Sequence, residues 1–337
     1  MVIRNYFAAA NGYSGFRNYF SDIFSSEDYE HIFVLKGGPG TGKSTLIKQV
    51  ATKAVEYDVD HDKIYCSSDP NSLDGVIIRT ERGNFAIIDG TAPHERDAVI
   101  PGAIDSIINI GEGFDIKKLK DYRSEIVALN EKKKASYKSA YASLKAAESV
   151  SERIRSIMRS SFSYRKADLF AGDLLSNHKP KKEKASVMLT RAFCKSGIYD
   201  IEAYRIYQKQ YSVFGLHGED MMFLNVLADK SRQYIDSKSH SPLSHENCDA
   251  LSIGDVAYIS TKDKNQASLD AREFVDKNYS EEEIEVLEST HSNLLGLAQT
   301  HFAEASRIHF ELENIYSSAV FFEKNDEILE KIISAIF

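Results

Sequence analysis

The hydrophobic positions of this 337-residue chain follow two patterns, which predict two kinds of element. Short apolar runs with β-branched members at residues 32–35 and 85–88 are the pattern of buried parallel strands. Directly after the first run comes a glycine-rich break, and then apolar positions recur at helical spacing over residues 46–50. The order of strand, glycine-rich loop and helix predicts an α/β fold for the N-terminal half.

The second pattern predicts long helices. Residues 114–171 contain no glycine and no proline, and apolar or small side chains recur there every three or four positions. This spacing indicates one long amphipathic helix, or two helices separated by a break, and residues 281–336 are predicted to be helical too. We expect these arms to cover the sheet or each other; binding of a protein partner, or of a second copy of the chain, is the alternative.

The composition is that of a globular protein with room for two cores. Hydrophobic residues make up 42% of the chain and charged residues 27%, and we predict domains at 1–176 and 186–337 joined by the charged segment 177–184. The net charge of −8 argues against nucleic-acid binding as the main function. Three cysteines without paired spacing, no secretory signal and no apolar run of about 18 residues predict a cytoplasmic location without membrane contact.

The break after the first predicted strand has the composition of a phosphate-binding loop. Gly37, four further residues and then Gly42-Lys43-Ser44 match the P-loop spacing. Glycines let backbone N–H groups approach phosphate oxygens, but the helix dipole contributes only about 0.3–2 kcal/mol. We therefore expect Lys43 to bind the β- and γ-phosphates and Ser44 to coordinate Mg²⁺. The predicted phosphate-binding residues are Gly37, Gly38, Pro39, Gly40, Thr41, Gly42, Lys43, Ser44 and Thr45.

An acid at the end of the second apolar run, Asp89, is predicted to hold the Mg²⁺ hydration shell, with a strand-end turn as its alternative role. Gly90 follows, where some ATPases carry a water-activating glutamate, so a catalytic base has to come from elsewhere. Asp69, His94 and Glu95 follow predicted strands, and ligands bind at the carboxyl ends of parallel strands. For each of these three, a loop cap or a solvated side chain is an equal alternative to catalysis.

The nucleotide is predicted to be ATP. Residues 94–97 resemble a protein-kinase catalytic loop only superficially, since the kinase glycine-rich strand pair and the Asp-Phe-Gly motif are absent. Residues 261–264 place their acid one position too early for guanine recognition. We therefore expect MgATP rather than GTP.

The chain also contains what we interpret as two copies of one pattern. Residues 83–89 match residues 254–260, and residues 5–12 loosely match residues 190–197. Each copy ends in a helical stretch. The alternative is that the second half is an unrelated helical domain.

The second copy lacks the chemistry of the first. Its phosphate loop would fall at residues 213–222, where the Lys-Ser pair is missing and Glu219 and Asp220 would repel phosphate. Ser260 stands where the first copy has Asp89. We predict a degenerate repeat that does not bind MgATP.

Several motifs resemble a family of poorly characterised bacterial P-loop ATPases built as a tandem repeat. The similar segments are residues 35–45, 66–76, 86–94, 101–102 and 107–111. The resemblance implies ATP binding and a duplicated α/β fold. Members often keep a second intact phosphate loop, and this chain departs from the family there.

The sequence thus predicts an α/β fold: a P-loop NTPase-type, mostly parallel sheet with flanking helices, a degenerate second α/β repeat and long helical arms. The leading hypothesis is an ATP hydrolase with one active site, in the N-terminal half. A small-molecule kinase that uses Asp69 as the base for an acceptor hydroxyl is a second hypothesis. A third is a non-enzymatic protein whose partner binding is gated by ATP.

Overall fold

The apolar runs of the N-terminal half build a six-stranded sheet. The computed structural model describes residues 1–180, 185–266, 268–276 and 278–337. The strands of this half are β1 (Ile3–Phe7), β2 (Ala9–Gly12), β3 (Gly15–Asn18), β4 (His31–Lys36), β5 (Asp60–Tyr65), β6 (Leu73–Thr80), β7 (Gly83–Asp89) and β8 (Asp105–Asn109). Its helices are α1 (Phe20–Ile23), α2 (Lys43–Glu56), α3 (Ile116–Asp121), α4 (Arg123–Ser161) and α5 (Tyr164–Leu175).

The C-terminal half builds a second six-stranded sheet. Its strands are β9 (Ser186–Val187), β10 (Arg191–Cys194), β11 (Gly197–Asp200), β12 (Lys209–Phe214), β13 (Ser237–His240), β14 (Cys248–Ile253), β15 (Val256–Thr261) and β16 (Leu269–Asp270). Its helices are α6 (Glu219–Lys230), α7 (Glu281–Ser317) and α8 (Glu323–Ile336). The predicted α/β class is therefore confirmed.

Both sheets have the same strand order and the same strand directions. The first runs β1-β5-β6-β7-β4-β8 and the second β9-β13-β14-β15-β12-β16. Neighbouring strands are parallel except around β6 and β14, each of which is antiparallel to both of its neighbours. Five of the six strands in each sheet thus point the same way, and the sheets are mixed.

Local irregularities recur at equivalent places in the two sheets. The pairing register shifts after Ile64 in β5 and after Ser239 in β13. The two-stranded hairpins β2–β3 and β10–β11 both turn at a glycine of positive φ, Gly15 and Gly197. The match of residues 5–12 with 190–197 is therefore wrong by three positions, because it pairs Gly197 with Gly12 instead of Gly15.

The two sheets pack face to face. Alternate residues of the central strands, such as Val34 and Ala86, share one buried cluster with Ala250 and Ala257 of the second sheet. Small side chains at this interface let the two sheets approach closely. The outer face of the first sheet carries α2 and α8, and the outer face of the second carries α5 and α6.

The long helices α4 and α7 cross from one half of the chain to the other, so that the two halves exchange their last helices. Helices α4 and α7 run antiparallel along each other, so that Leu129 packs near Ile308 at one end and Ile154 near Ile284 at the other. As a result α5, which follows α4, lies on the second sheet, and α8, which follows α7, lies on the first. Each predicted domain therefore contributes its last helix to the core of the other.

The segment predicted as one long helix, or two, has one more break than expected. Residues 114–171 form three helices, since Tyr122 separates α3 from α4 and Phe162 adopts an extended conformation before α5. Ser163 and Ser280 cap α5 and α7 by accepting hydrogen bonds from amides of their first turns. Among the described residues, no helix combines the length and apolarity needed to cross a bilayer.

The centre of the helix pair provides a test of this architecture. Leu144 is fully buried on α4, in a cluster with Ala298 and Phe302 of α7. We expect Leu144→Ala to lower the free energy of unfolding by about 2–5 kcal/mol, because it leaves a cavity between α4 and α7. Val127→Ala on the exposed face of α4 should change it by no more than about 0.5 kcal/mol. Urea unfolding that gave equal values for the two variants would contradict this packing.

Candidate active site

The glycine-rich loop connects β4 to α2 at the edge where the parallel strands end. Its two left-handed residues are both glycines, Gly40 with φ 67° and Gly42 with φ 89°. Gly42 stands directly before the first residue of α2, so the amides of the first helical turn open towards the loop. Thr41 Oγ1 donates a hydrogen bond to the Gly38 carbonyl at 2.8 Å and braces the loop from within.

The Lys43 ammonium lies at the centre of this loop. Its Nζ donates to the carbonyls of Gly37 at 2.9 Å and Gly38 at 2.8 Å. Its nearest carboxylate oxygen is Asp89 Oδ2, 3.7 Å away. The residue is only 9% exposed, so this cation has exchanged most of its water for two neutral carbonyls and one acid.

Asp89 ends β7 beside the loop, because β7 pairs in parallel with β4 and places Asp89 opposite Leu35. Its Oδ1 accepts hydrogen bonds from the Thr91 amide at 2.9 Å and hydroxyl at 2.5 Å. Its Oδ2 faces Lys43. The turn-capping role and the site-facing role of Asp89 therefore coexist, one on each carboxylate oxygen.

A buried acid missed by sequence reasoning, Asp74, completes a three-residue cluster. One ligand atom each from Asp74, Asp89 and His94 lies within 4.8 Å of the others. His94 Nε2 is 3.4 Å from Asp74 Oδ2, and His94 Nδ1 lies 3.1 Å from the Thr91 carbonyl. A carbonyl only accepts hydrogen bonds, so Nδ1 carries the proton and Nε2 presents its lone pair to the cluster. The sequence signal that could have identified Asp74 is a single acid within the apolar strand β6.

The protonation states in this cluster follow from its burial. Burial, and then the neighbouring Asp89 charge, raise the pKa of Asp74 to about 8. Burial also lowers the pKa of His94. At neutral pH Asp74 is therefore protonated and the His94 imidazole is neutral.

Ser44 lies on the same side of the loop. Its Oγ accepts a hydrogen bond of 3.0 Å from the Leu73 amide, and Leu73 directly precedes Asp74 in β6. This contact ties the start of α2 to the strand that carries the buried acid. Thr45 is exposed on the first turn of α2.

The other two candidate bases differ in position. Asp69 lies in the loop after β5 with its side chain 44% exposed, 3.7 Å from Lys195 Nζ on the hairpin of the second half. Glu95 is exposed and does not belong to the cluster around Asp89. Of the three candidate bases, His94 is the one that lies in the cluster with Asp89.

The C-terminal helices cover the glycine-rich loop. The backbone of α7 lies against it, since a Cβ on Gly40 would be 2.5 Å from the Glu313 carbonyl oxygen. Asn325 Nδ2 on α8 donates to the Thr41 carbonyl at 2.9 Å. A side chain at Gly38 would meet the Tyr316 ring of α7 at 3.5 Å. The loop is therefore closed on one side by the half of the chain that lacks the glycine-rich motif.

The corresponding loop of the second half has the same course and opposite charge. It runs from β12 to α6, and Gly218, with φ 101°, precedes the helix as Gly42 does. Glu219 and Asp220 begin α6 where Lys43 and Ser44 begin α2, and both acids are buried.

The two acids of that second loop have different partners. Glu219 accepts a hydrogen bond from the His217 amide at 2.7 Å, and Asp220 lies 3.9 Å from Lys262 Nζ. The Arg191 guanidinium donates to the carbonyl and hydroxyl oxygens of Ser260, at 2.7 Å and 3.1 Å. Cationic side chains of the second half therefore lie beside Asp220 and Ser260.

Asp74 provides a pH test of the candidate site. Its raised pKa means that the folded chain keeps a proton between pH about 4 and about 8 that the unfolded chain has lost. Stability is therefore fully present below this window and falls as pH rises through it. In the presence of EDTA, we expect Asp74→Asn to gain stability over the wild type by about 1 kcal/mol per pH unit from pH 5 to 8.

Urea unfolding at pH 5, 6, 7 and 8 measures this difference. The groups that face Asp74 are Asp89, His94, Cys66, Lys43 and Asp69, and they stay in place in the variant. Asp229→Asn, at a side chain 74% exposed, is the matched control and should show a difference independent of pH. A flat difference for Asp74→Asn would mean that this acid is ionised in the folded protein.

No protein-family model, curated protein or solved structure matches this chain. The resemblance to tandem-repeat P-loop ATPases, drawn from sequence motifs, stays a prediction. A function for this site is therefore inferred from the geometry and charge of its own residues.

Proposed function

We propose that this protein binds a nucleoside triphosphate on residues 37–45, with MgATP as the expected ligand, and hydrolyses its terminal phosphate. The observation that supports this most is the placement of Lys43. Its ammonium is buried at the start of α2 and held by two loop carbonyls, 3.7 Å from Asp89. Phosphate oxygens are stronger partners for a desolvated ammonium than neutral carbonyls, so a polyphosphate would improve its environment.

The magnitudes favour the lysine over the helix as the main anchor. Two unit charges 4 Å apart attract by about 4 kcal/mol at the effective dielectric near a protein surface. The helix terminus adds roughly 0.3–2 kcal/mol for each nearby anion. Backbone amides of the loop, among them that of Gly40, supply directional hydrogen bonds to phosphate oxygens.

The side chains next to Lys43 fit a magnesium ion. Mg²⁺ prefers hard oxygen ligands and retains several waters, and Ser44, Asp89 and Asp74 offer a hydroxyl and two carboxylates close together. A bound Mg²⁺ neutralises charge on the phosphate oxygens. A divalent cation also favours the ionised form of a nearby acid, so Asp74 would lose its proton when the site is filled.

Among the candidate bases, the geometry favours His94. Its neutral Nε2 is turned towards the cluster, and a neutral imidazole can accept a proton from an attacking water. Asp69 lies 3.7 Å from Lys195 Nζ and does not belong to the cluster of Asp74, Asp89 and His94. Glu95 would serve only after a movement of its loop.

In this proposal the second half is a degenerate repeat that does not bind nucleotide. The buried acids Glu219 and Asp220 would repel a polyphosphate from the second loop. The shared strand order of the two sheets supports a duplicated origin. The second half would then act as a scaffold that places α7 and α8 on the active loop.

The cover of α7 and α8 favours a second candidate function, an ATP-gated interaction protein. Because these helices contact the loop directly, a nucleotide could move them without being hydrolysed. Phosphate release from ATP in the absence of any acceptor separates the two, since gating alone gives tight binding with negligible turnover. A strict need for an added acceptor would instead support a small-molecule kinase.

Removal of the loop cation tests the proposed site. We expect Lys43→Ala to weaken MgATP binding by about 100-fold, because a desolvated charge contact of this kind contributes several kcal/mol. Lys53→Ala, on the exposed last turn of α2, should bind like the wild type. Isothermal titration calorimetry measures both affinities and should give one nucleotide per chain.

Two outcomes of this titration would contradict the proposal. Unchanged affinity in Lys43→Ala would place the nucleotide elsewhere. Two nucleotides per wild-type chain would show that the second loop also binds.

A further inference from the structure

Two consecutive phenylalanines are exposed where the chain enters α8, beside the glycine-rich loop. Phe321 is 58% exposed and Phe322 is 44% exposed. Phenylalanine is among the residues most often buried in folded proteins, and ligand sites are lined mainly by apolar and aromatic side chains. The chain therefore keeps aromatic surface in contact with water next to a loop that has the phosphate-binding spacing.

Backbone pairing fixes the position of these rings. The Phe321 amide donates to the Gly113 carbonyl at 2.8 Å, and the Asp115 amide donates to the Ala319 carbonyl at 2.8 Å. Residues 113–115 follow β8, so the start of α8 is held on the β8 side of the loop. A Cβ on Gly42 would lie 3.6 Å from the Phe322 ring. This ring thus lies against the glycine that precedes α2.

Asn325, one turn further along α8, places an oriented amide beside the same glycine. Its Nδ2 donates to the Thr41 carbonyl at 2.9 Å and would lie 2.8 Å from a Cβ on Gly42. Because a carbonyl only accepts hydrogen bonds, this contact fixes which end of the amide is the oxygen. Among the described residues, none donates a hydrogen bond to Asn325 Oδ1. An aromatic ring and an available acceptor therefore lie side by side.

The sheet order indicates which part of a nucleotide would reach them. Strand β4, which leads into the loop, lies between β7 and β8. Asp89 ends β7 and faces Lys43, so the proposed function places the metal and the terminal phosphates on the β7 side. A triphosphate is a linear chain, and its nucleoside end therefore leaves the loop on the opposite side. That is the β8 side, where Phe322 and Asn325 lie.

We propose that Phe322 and Asn325 bind the nucleobase and select adenine over guanine. The inference rests on the proposed nucleotide function. The base stacks on the Phe322 ring, and the adenine N6 amino group donates to Asn325 Oδ1. Guanine carries an acceptor, O6, at this position, and two acceptors repel each other. Rotation of the Asn325 amide would accommodate guanine only with loss of the bond to Thr41.

Three ligands that share a triphosphate and differ in the base test the role of Phe322. Isothermal titration calorimetry with the full chain and Mg²⁺ compares non-hydrolysable analogues of ATP and GTP with inorganic tripolyphosphate, which has no base. The wild type should bind the ATP analogue most tightly. We expect Phe322→Ala to weaken both nucleotide analogues by about tenfold, through loss of stacking, and to leave tripolyphosphate unchanged. Phe322→Tyr keeps the ring and should bind all three like the wild type.

Asn325→Ala tests the selection between the two bases. It removes the acceptor for N6, so affinity for the ATP analogue should fall about five- to tenfold while the GTP analogue keeps its affinity. This variant also loses the bond to Thr41, and tripolyphosphate binding reports any resulting change of the loop. Equal losses for all three ligands would show that Asn325 only braces the loop and would overturn its assignment to the base.

Tyr164, 48% exposed on α5 over the second sheet, supplies the matched control. Tyr164→Ala should bind the three ligands like the wild type. If the wild type binds neither tripolyphosphate nor the nucleotide analogues, the proposed function fails and this inference fails with it. If the wild type binds tripolyphosphate as tightly as the ATP analogue, or if Phe322→Ala matches Tyr164→Ala, only the inference fails.

Discussion

The other groups of this site are arranged around the Lys43 ammonium. Folding removes most of its water, and an isolated buried cation would be costly to the folded state. The chain offsets this cost with two loop carbonyls and a carboxylate oxygen from the adjacent strand. The parallel pairing of β4 with β7 matters for this reason, because it brings Asp89 to the loop.

The exchanged arms are the second constraint, and they join the two halves into one unit. Helices α4 and α7 each begin in one half and end over the other. The first glycine-rich loop is closed by α7 and α8, while His217 of the second loop contacts Glu288 of α7. A conformational change of the first loop would reach α7 and α8 through direct contacts, without a change in the packing of either core.

The local elements around the site could be predicted from sequence because their signals are local. The run at 32–35 and the P-loop spacing correspond to β4, the loop and the start of α2. The equivalence of the segments at 83–89 and 254–260 matches the places of β7 and β15 in their sheets. The helical character of residues 114–171 was also predicted, but the two breaks, at Tyr122 and Phe162, were not placed.

What could not be predicted depends on distant contacts. Helical periodicity shows that α4 has a buried face, but it does not identify α7 as the helix that packs against it. Asp74 was missed because a single acid in an apolar strand has no spacing motif; its role arises only when β6 is placed beside Asp89 and His94. The α7 backbone at Glu313 lies more than 270 residues along the chain from Gly40, the loop glycine against which it packs.

The most direct test of the central claim is a crystal structure of the chain with Mg²⁺ and a non-hydrolysable ATP analogue. The account predicts phosphate oxygens within hydrogen-bond distance of Lys43 Nζ and of the loop amides. A nucleotide bound elsewhere, with Lys43 still donating to the carbonyls of Gly37 and Gly38, would contradict it.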